Sequence, residues 1–292
     1  MKPFERHATD AAARGTRDRV GMTVSHDDPV LSGIHVYPVK SCGGIRMESA
    51  DLCATGLRDD RRWMLVDEAG KFMSQRAHPR MALISPSLTP DRLVVRAPGM
   101  PNLEIPLEGE TGERVDVEVW GDAQRGMPEG KEADRWFGRF LNFACRLVRK
   151  PEDDVRPVDS AYAGDGDQTS FADGFPLLLI SEASLDDLNG RLESPVPMDR
   201  FRPNLIVDGC GPYAEDGWGE MRVGGTVFRV AEACPRCAIT MVDQESGRRG
   251  KEPLRTLATY RRSGGEVWFG RNLIHTSPGT VRVGDPVEVT PR

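Results

Sequence analysis

Val227-Phe228-Arg229-Val230, then Cys234-Pro235-Arg236-Cys237, then Ala238-Ile239-Thr240-Met241-Val242, form the stretch that separates the possible folds. Two thiols three residues apart either exchange a disulfide or bind a metal, and the flanks bear on which. A thioredoxin-type pair opens a helix inside a βαβ unit, whereas the apolar, partly β-branched runs on both sides here read as strands. A two-plus-two zinc centre needs a second ligand pair at similar spacing; the chain has no other CxxC and no HxxxH. What remains is one soft thiolate on a strand or strand edge, suited to a metal that brings most of its own ligands. Spacing leaves a metal role and a pair of buried structural thiols both open. Alternation across Pro235 does not choose between the two sulfurs; Cys237 is taken as the candidate ligand, with Cys234 as its neighbour.

Strand signals continue outward from this motif in both directions. Gly33–Val39, Trp63–Asp67 before a turn at Glu68-Ala69-Gly70, Leu83–Ser85, Leu93–Val95 and Val115–Val119 precede it, the last alternating with period two. Met221–Val223 and Thr226–Val230 flank Gly224-Gly225, a two-residue hairpin signal, and Val281–Val283 and Val287–Val289 flank Gly284-Asp285-Pro286. Helical signals are confined to Ala133–Phe143, with Trp136, Phe137, Phe140 and Leu141 on one face, and Glu182–Leu192, with Ser181 as N-cap and Asn189-Gly190 weakening its end. Pro151–Gly174, rich in Pro, Asp and Gly, reads as a linker or an active-site loop. The expected fold is mostly β with a few helices, α+β in class, with a barrel-like first domain over residues 31–150 and a second domain over 151–292. Residues 1–30 read as a disordered arm, within which Met22 is an alternative start.

The chain has 292 residues, enough for a sizeable core, and a formal charge of −6 with 29 % charged residues. Its basic residues are interspersed with acidic ones, which excludes nucleic acid as the main partner. An anion site must therefore be built locally from a few converging cations. No apolar run approaches the roughly 20 residues that span a bilayer, and the first 30 residues lack a secretory h-region. Six scattered cysteines without a secretion signal point to free thiols in a reducing cytoplasm, away from membranes.

Anion-binding candidates follow from residue chemistry. Lys40-Ser41 places an ammonium and a hydroxyl at the turn before Gly43-Gly44, although the upstream glycine of a P-loop is missing. An exposed turn lysine has the same signature. Arg61-Arg62-Trp63 precedes an apolar run, with Asp59 and Asp60 as ready surface partners. In Phe201-Arg202-Pro203-Asn204-Leu205, Pro203 fixes the backbone after an arginine whose planar fork suits oxyanions, and Asn204 offers both a donor and an acceptor. Asp208, Asp216 and Asp243 fit turn positions, and the five histidines form no spaced cluster.

Taken in order, seven segments carry a resemblance. They are Tyr37-Pro38-Val39-Lys40-Ser41; Gly56-Leu57 to Arg61-Arg62-Trp63; Ser181-Glu182-Ala183-Ser184-Leu185; Phe201-Arg202-Pro203-Asn204; Tyr213-Ala214-Glu215-Asp216 with Trp218; Cys234-Pro235-Arg236-Cys237; and Pro278-Gly279-Thr280 through Val287. From about residue 33 onward the chain resembles the MOSC-domain family, in the branch with an added N-terminal β-barrel domain that includes the mitochondrial amidoxime-reducing component and bacterial relatives. The resemblance implies a MOSC N-terminal β-barrel domain over 31–150, a MOSC domain over 151–292, and a molybdenum–molybdopterin cofactor between them. It also implies that Cys237 is the metal ligand and catalytic residue, and that Lys40, Ser41, Arg61, Arg202 and Asn204 bind the cofactor. The implied activity is an oxidoreductase converting N–OH to N–H with release of water. Its electrons would come from a separate flavoprotein, ferredoxin or small haem protein, since the chain ends at Arg292 without an iron–sulfur domain. The alternative implied is a cofactor-binding or sulfur-carrier protein without turnover of a small substrate. Pro235 stands where the mitochondrial proteins have serine, and Gly174-Phe175 replaces a small hydroxylated pair, so the pocket is expected to differ there.

Overall fold

The computed structural model describes residues 28–109 and 113–292. The expected arm lies outside the described residues up to position 27, Met22 included, and strand begins at Val30. The first four strands among the described residues are β1 (Val30–Val36), β2 (Ile45–Met47), β3 (Ser49–Cys53) and β4 (Gly56–Leu57). β5 (Trp63–Val66) precedes a 3-10 turn at Pro79–Leu83 and the meander of β6 (Ser85–Leu88), β7 (Arg92–Arg96) and β8 (Leu103–Pro106). The hairpin of β9 (Val115–Val119) and β10 (Asp122–Pro128) leads into α1 (Lys131–Leu141) and β11 (Arg146–Arg149). Next come β12 (Leu177–Ser181), α2 (Glu182–Asn189), β13 (Leu205–Asp208), β14 (Trp218–Val223) and β15 (Thr226–Pro235). The chain finishes with α3 (Leu254–Leu257), β16 (Arg262–Ser263), β17 (Glu266–His275), β18 (Gly279–Arg282) and β19 (Val287–Pro291). The mostly-β, α+β reading holds. No helix among the described residues is long and apolar enough to cross a membrane.

Local chemistry explains where elements start and stop. In α1 the side chains of Ala133, Trp136, Phe137, Phe140 and Leu141 are all buried, and Asn142 closes the helix in the left-handed conformation at φ 52°. Ser181 caps α2 by accepting the Ser184 N–H at 3.1 Å, and the helix ends at Asn189, three residues before the sequence pattern suggests. Ala238–Met241, expected as a strand, is instead a 3-10 turn that begins on Cys237. The last register pair of β15 with β17 is Pro235 with Trp268, and the next amide, Arg236, still donates to Val267 O of β17 at 2.7 Å before the chain turns. Strand β6 begins at Ser85 because Pro79–Leu83 takes up the apolar residues before it.

A nine-stranded sheet runs β19-β14-β15-β17-β12-β13-β1-β2, with β16 paired to β17. The others are β5-β11-β10-β9, β6-β7-β8 and β18-β3-β4. None of these ladders closes on itself, so the barrel-like first domain is built of open sheets. The gap between β5 and β9 is spanned by Lys71-Phe72, which follows the turn at Asp67–Gly70 and makes isolated bridges to each side, Phe72 to Val66 and Lys71 to Glu118. Residues 30–57 fall within the first half by sequence, yet β1 pairs with β13 and β3 with β18. The opening segment is thus hydrogen-bonded into the second half. β18 and β19 flank Gly284 but pair with β3 and β14, not with each other.

One apolar core lies in the second half around Leu31, Ile34, Phe228 and Leu273, and another lies in the first half around Trp63, Leu65, Phe137 and Leu147. β17 crosses the large sheet at its centre, and Gly270 lets it pass. At φ 81°, a Cβ there would lie 2.7 Å from both Leu179 O and Ile180 Cγ1. Gly270→Ala should therefore lose about 2–4 kcal/mol of stability, through left-handed strain and overpacking together. Urea denaturation of the variant against the parent checks this, and an unchanged midpoint would contradict it.

Candidate functional site

A cavity of about 560 Å³ opens between the two halves. It is lined by Lys40 and Ser41 after β1, Arg61 before β5, Arg202 and Asn204 before β13, and Cys237 after β15. All six candidate site residues therefore meet at one place, although up to 197 positions separate them in sequence. Cys234, Arg236, Asp173, Arg76, Trp120 and Glu232 also line it.

Tyr37 organises the cationic wall. The Arg61 and Arg202 guanidinium carbons lie 4.4 and 4.3 Å from its ring centroid, within cation–π range. The ring is buried, with its hydroxyl donating to Pro203 O at 3.1 Å. Gly44 must be small, since a Cβ there would sit 2.5 Å from Tyr37 Cε1. Arg61 donates to Asp60 Oδ2 at 2.5 Å, Asn204 Oδ1 at 3.0 Å and Arg202 O at 3.3 Å. Asn204 is a cross-tie: its Nδ2 donates to His35 O and its Oδ1 also accepts the Leu178 N–H. Arg202 donates Nη1 to Cys42 O at 2.5 Å, but its buried Nη2 has no partner. Burial and the neighbouring Arg61 charge pull the Arg202 guanidinium below its ordinary pKa. A buried cation with a spare donor suits an anionic ligand.

The backbone is strained at the same place. Ser41, Arg61 and Arg202 have φ of 64°, 48° and 58°. Such left-handed conformations cost non-glycine residues roughly 1–2 kcal/mol each and cluster at functional sites. Asp173 and the segment before it are strapped onto this wall. Lys40 Nζ, 4 % exposed as a residue, donates to Phe171 O at 2.6 Å and to Asp173 Oδ1 at 2.5 Å. Trp120 Nε1 reaches the same Asp173 oxygen at 3.0 Å, and Arg156 donates to the carbonyls of Ser170, Ala172 and Asp173. Burial lowers the Lys40 pKa from 10.5 to about 8 against the opposing pull of Asp173. Desolvation works to raise the Asp173 pKa. The Lys40 charge and the hydrogen bonds from Lys40 and Trp120 outweigh it, holding that carboxyl well below the usual range.

The two thiols are differently placed. Cys234 accepts Arg236 Nη1 at 3.0 Å, and burial pushes its thiol up while Arg236 opposes the shift. Cys237 is half-buried, has no side-chain hydrogen bond, and begins the 3-10 turn through Thr240 N–H to its carbonyl at 3.2 Å. It is the free sulfur at the cavity wall. All six cysteines are unpaired, and among the described residues no group of three His, Cys, Asp or Glu side chains is placed to hold a metal.

Asp173, Trp120, Arg76 and Arg236 were not singled out from sequence. Asp173 lies in the Pro151–Gly174 segment, whose end lines the cavity. Trp120-Gly121 sits between two extended runs, a hairpin signal that marks a turn and not a site.

The family model described as MOSC N-terminal beta barrel domain matches residues 28–143, and the one described as MOSC domain matches 166–288. The chain is 38 % identical over 276 residues to mitochondrial amidoxime-reducing component 1 of Mus musculus, covering 88 % of this chain and 81 % of that one. It is 35 % identical over 283 residues to mitochondrial amidoxime reducing component 2 of Bos taurus, covering 88 % and 82 %. It is also 33 % identical over 287 residues to the molybdenum cofactor sulfurase of Solanum lycopersicum, covering 88 % of this chain but 35 % of that one.

The buried Lys40 makes stability depend on alkaline pH. Because its folded pKa lies below 10.5, the unfolded chain binds more protons between pH 8 and 10.5, so stability rises with pH through that window. The cost of the buried charge is fully present below pH 8. Relative to Lys40→Met, the parent should gain on the order of 2 kcal/mol across this window, discounted for the solvent-open Asp173. Urea titrations of both proteins at about pH 7.5 and pH 10 measure it, and parallel behaviour would rule it out.

Proposed function

This chain belongs to the family that joins a MOSC N-terminal beta barrel domain to a MOSC domain, and we propose that it is a molybdenum-cofactor-dependent reductase of N-hydroxylated compounds. The observation that carries this reading is the convergence of Lys40, Ser41, Arg61, Arg202, Asn204 and Cys237 on one cavity between the halves. The relatives named for amidoxime reduction support it, as does the likeness to a molybdenum cofactor sulfurase.

The residues present fit a molybdenum–molybdopterin group. Arg61, Arg202 and Lys40 supply positive charge in a protein of net charge −6, Ser41 a hydroxyl, and the unpartnered Arg202 Nη2 a spare donor for an anion. Cys237, free of side-chain partners, would be the protein's ligand to the metal. Such a cofactor, when bound, supplies a two-electron redox couple. The chain's own side chains orient and desolvate it: Asn204 holds Arg61, Tyr37 holds both arginines, and the Arg156 strap covers one side. The net reaction is R–NH–OH + 2 e⁻ + 2 H⁺ → R–NH2 + H2O. Its electrons would come from a separate flavoprotein, ferredoxin or small haem protein.

The sulfurase likeness also supports a second reading, a cofactor-binding or sulfur-carrier protein without small-substrate turnover. Protein made in a host that synthesises the cofactor should hold about one molybdenum per chain. It should reduce benzamidoxime with an artificial electron donor. Cys237→Ala should abolish that reduction, and activity surviving the substitution would remove Cys237 from its role. Transfer of bound cofactor to an apo-enzyme, without benzamidoxime reduction, would favour the carrier reading instead.

A further inference from the structure

We propose that Arg76, held on the indole of Trp120, is a specificity-determining residue that selects N-hydroxylated substrates carrying a carboxylate. This rests on the reductase reading and goes beyond it by naming a substrate class.

Trp120 is the starting observation. It opens the two-residue turn Trp120-Gly121 between β9 and β10, with φ of 57° followed by 93°. That is the type I′ pattern, which favours Asn-Gly, and a bulky side chain adopts it rarely. The residue is also 46 % exposed, so burial in a core does not compensate. Its indole lines the cavity instead, with Nε1 on Asp173 and Phe72 packed at 4.9 Å. Strain at an exposed aromatic residue facing a cavity points to use of the side chain there.

Arg76 stacks on that indole, its guanidinium carbon 3.9 Å from the centroid. Among the cations of the cavity wall, Arg76 is the one with both terminal nitrogens unpartnered, whereas Arg202 has only its buried Nη2 to spare. Lys40 is engaged by Asp173 and Phe171 O, Arg61 by Asp60, Asn204 and Arg202 O, and Arg236 by Cys234 and Phe201 O. Arg202 is buried against Cys42 O. Arg76 donates only Nε, to Ser74 Oγ at 3.4 Å, and no carboxylate among the described residues lies within ion-pair distance. Its planar fork is therefore held in orientation with both terminal nitrogens available, the arrangement that suits a carboxylate. The Asp173 carboxylate on the same wall is compensated by Lys40.

An anion at Arg76 has two possible sources, the substrate's carboxylate or the cofactor's phosphate, and the test separates them. Cofactor-loaded parent, Arg76→Ala, Arg76→Lys and Trp120→Asn are assayed with benzamidoxime and 4-carboxybenzamidoxime, and molybdenum content is measured in each. Arg76→Ala should lower the kcat/KM ratio of the carboxylated over the neutral substrate about tenfold, the effect of one charge-assisted contact at a partly solvated rim. Molybdenum content should be retained, and Arg76→Lys should recover part of the ratio. Trp120→Asn should lose the same selectivity while melting no lower than the parent, because asparagine suits its turn position. An unchanged ratio overturns the proposal. So does loss of molybdenum in Arg76→Ala, which would place the arginine on the cofactor's phosphate. Calorimetric titration with 4-carboxybenzamide, which needs no turnover, stands apart from the reductase reading. Weaker binding to Arg76→Ala than to the parent supports the site even where neither substrate is reduced, and equal or undetectable binding to both overturns it.

Discussion

Two guanidiniums stacked on one buried tyrosine are the constraint around which the site is built. Arg61 and Arg202 lie within 4.4 Å of the Tyr37 ring centroid, so two like charges share a space largely closed to water. Such an arrangement is stable only when each charge finds hydrogen-bond acceptors. Asp60, Asn204 and the carbonyls of Cys42 and Arg202 provide most of them. They do not provide all. Arg202 Nη2 remains unmatched, and the residual positive potential is available to an anion in a protein that is acidic as a whole.

Holding this arrangement requires parts of the chain that are distant in sequence. Tyr37 follows a strand paired with β13, Asn204 precedes β13, and Arg61 lies in the crossing to the first half. Because β1 to β4 are hydrogen-bonded to strands of the second half, the cavity cannot form from either half alone. Arg156 and Lys40 then bind the Ser170–Asp173 segment over it. The left-handed backbone at Ser41, Arg61 and Arg202 is tolerated because these surrounding bonds overdetermine it.

Much of the element pattern is legible in the residues. Val115–Val119 alternates in sequence and in burial, the Gly224-Gly225 hairpin forms as its flanks suggest, and Ser181 caps the helix it precedes. The departures share one cause, which is that short apolar runs do not state their own conformation. Ala238–Met241 is apolar and partly β-branched, yet just past the last bond of β15 to β17 it turns, its Thr240 N–H closing onto the Cys237 carbonyl. Sheet closure is likewise a property of partners. Val66 and Glu118 each find a single bridge across the gap, and no residue in either strand announces it.

The sequence by itself determined the β-rich class, the family resemblance, and the residue types able to hold an anion and a soft metal. Hydrophobic period, turn chemistry and ordered motifs are local properties, and a chain displays them before it folds. Only the tertiary structure decided that Lys40, Arg61, Arg202 and Cys237 face one cavity, that Cys234 is engaged by Arg236 while Cys237 is free, and that Arg76 rests on Trp120 with its terminal nitrogens open. A side chain's electrostatic role depends on which neighbours satisfy it. Those neighbours are brought together by strand pairing across the whole chain, which no local pattern encodes.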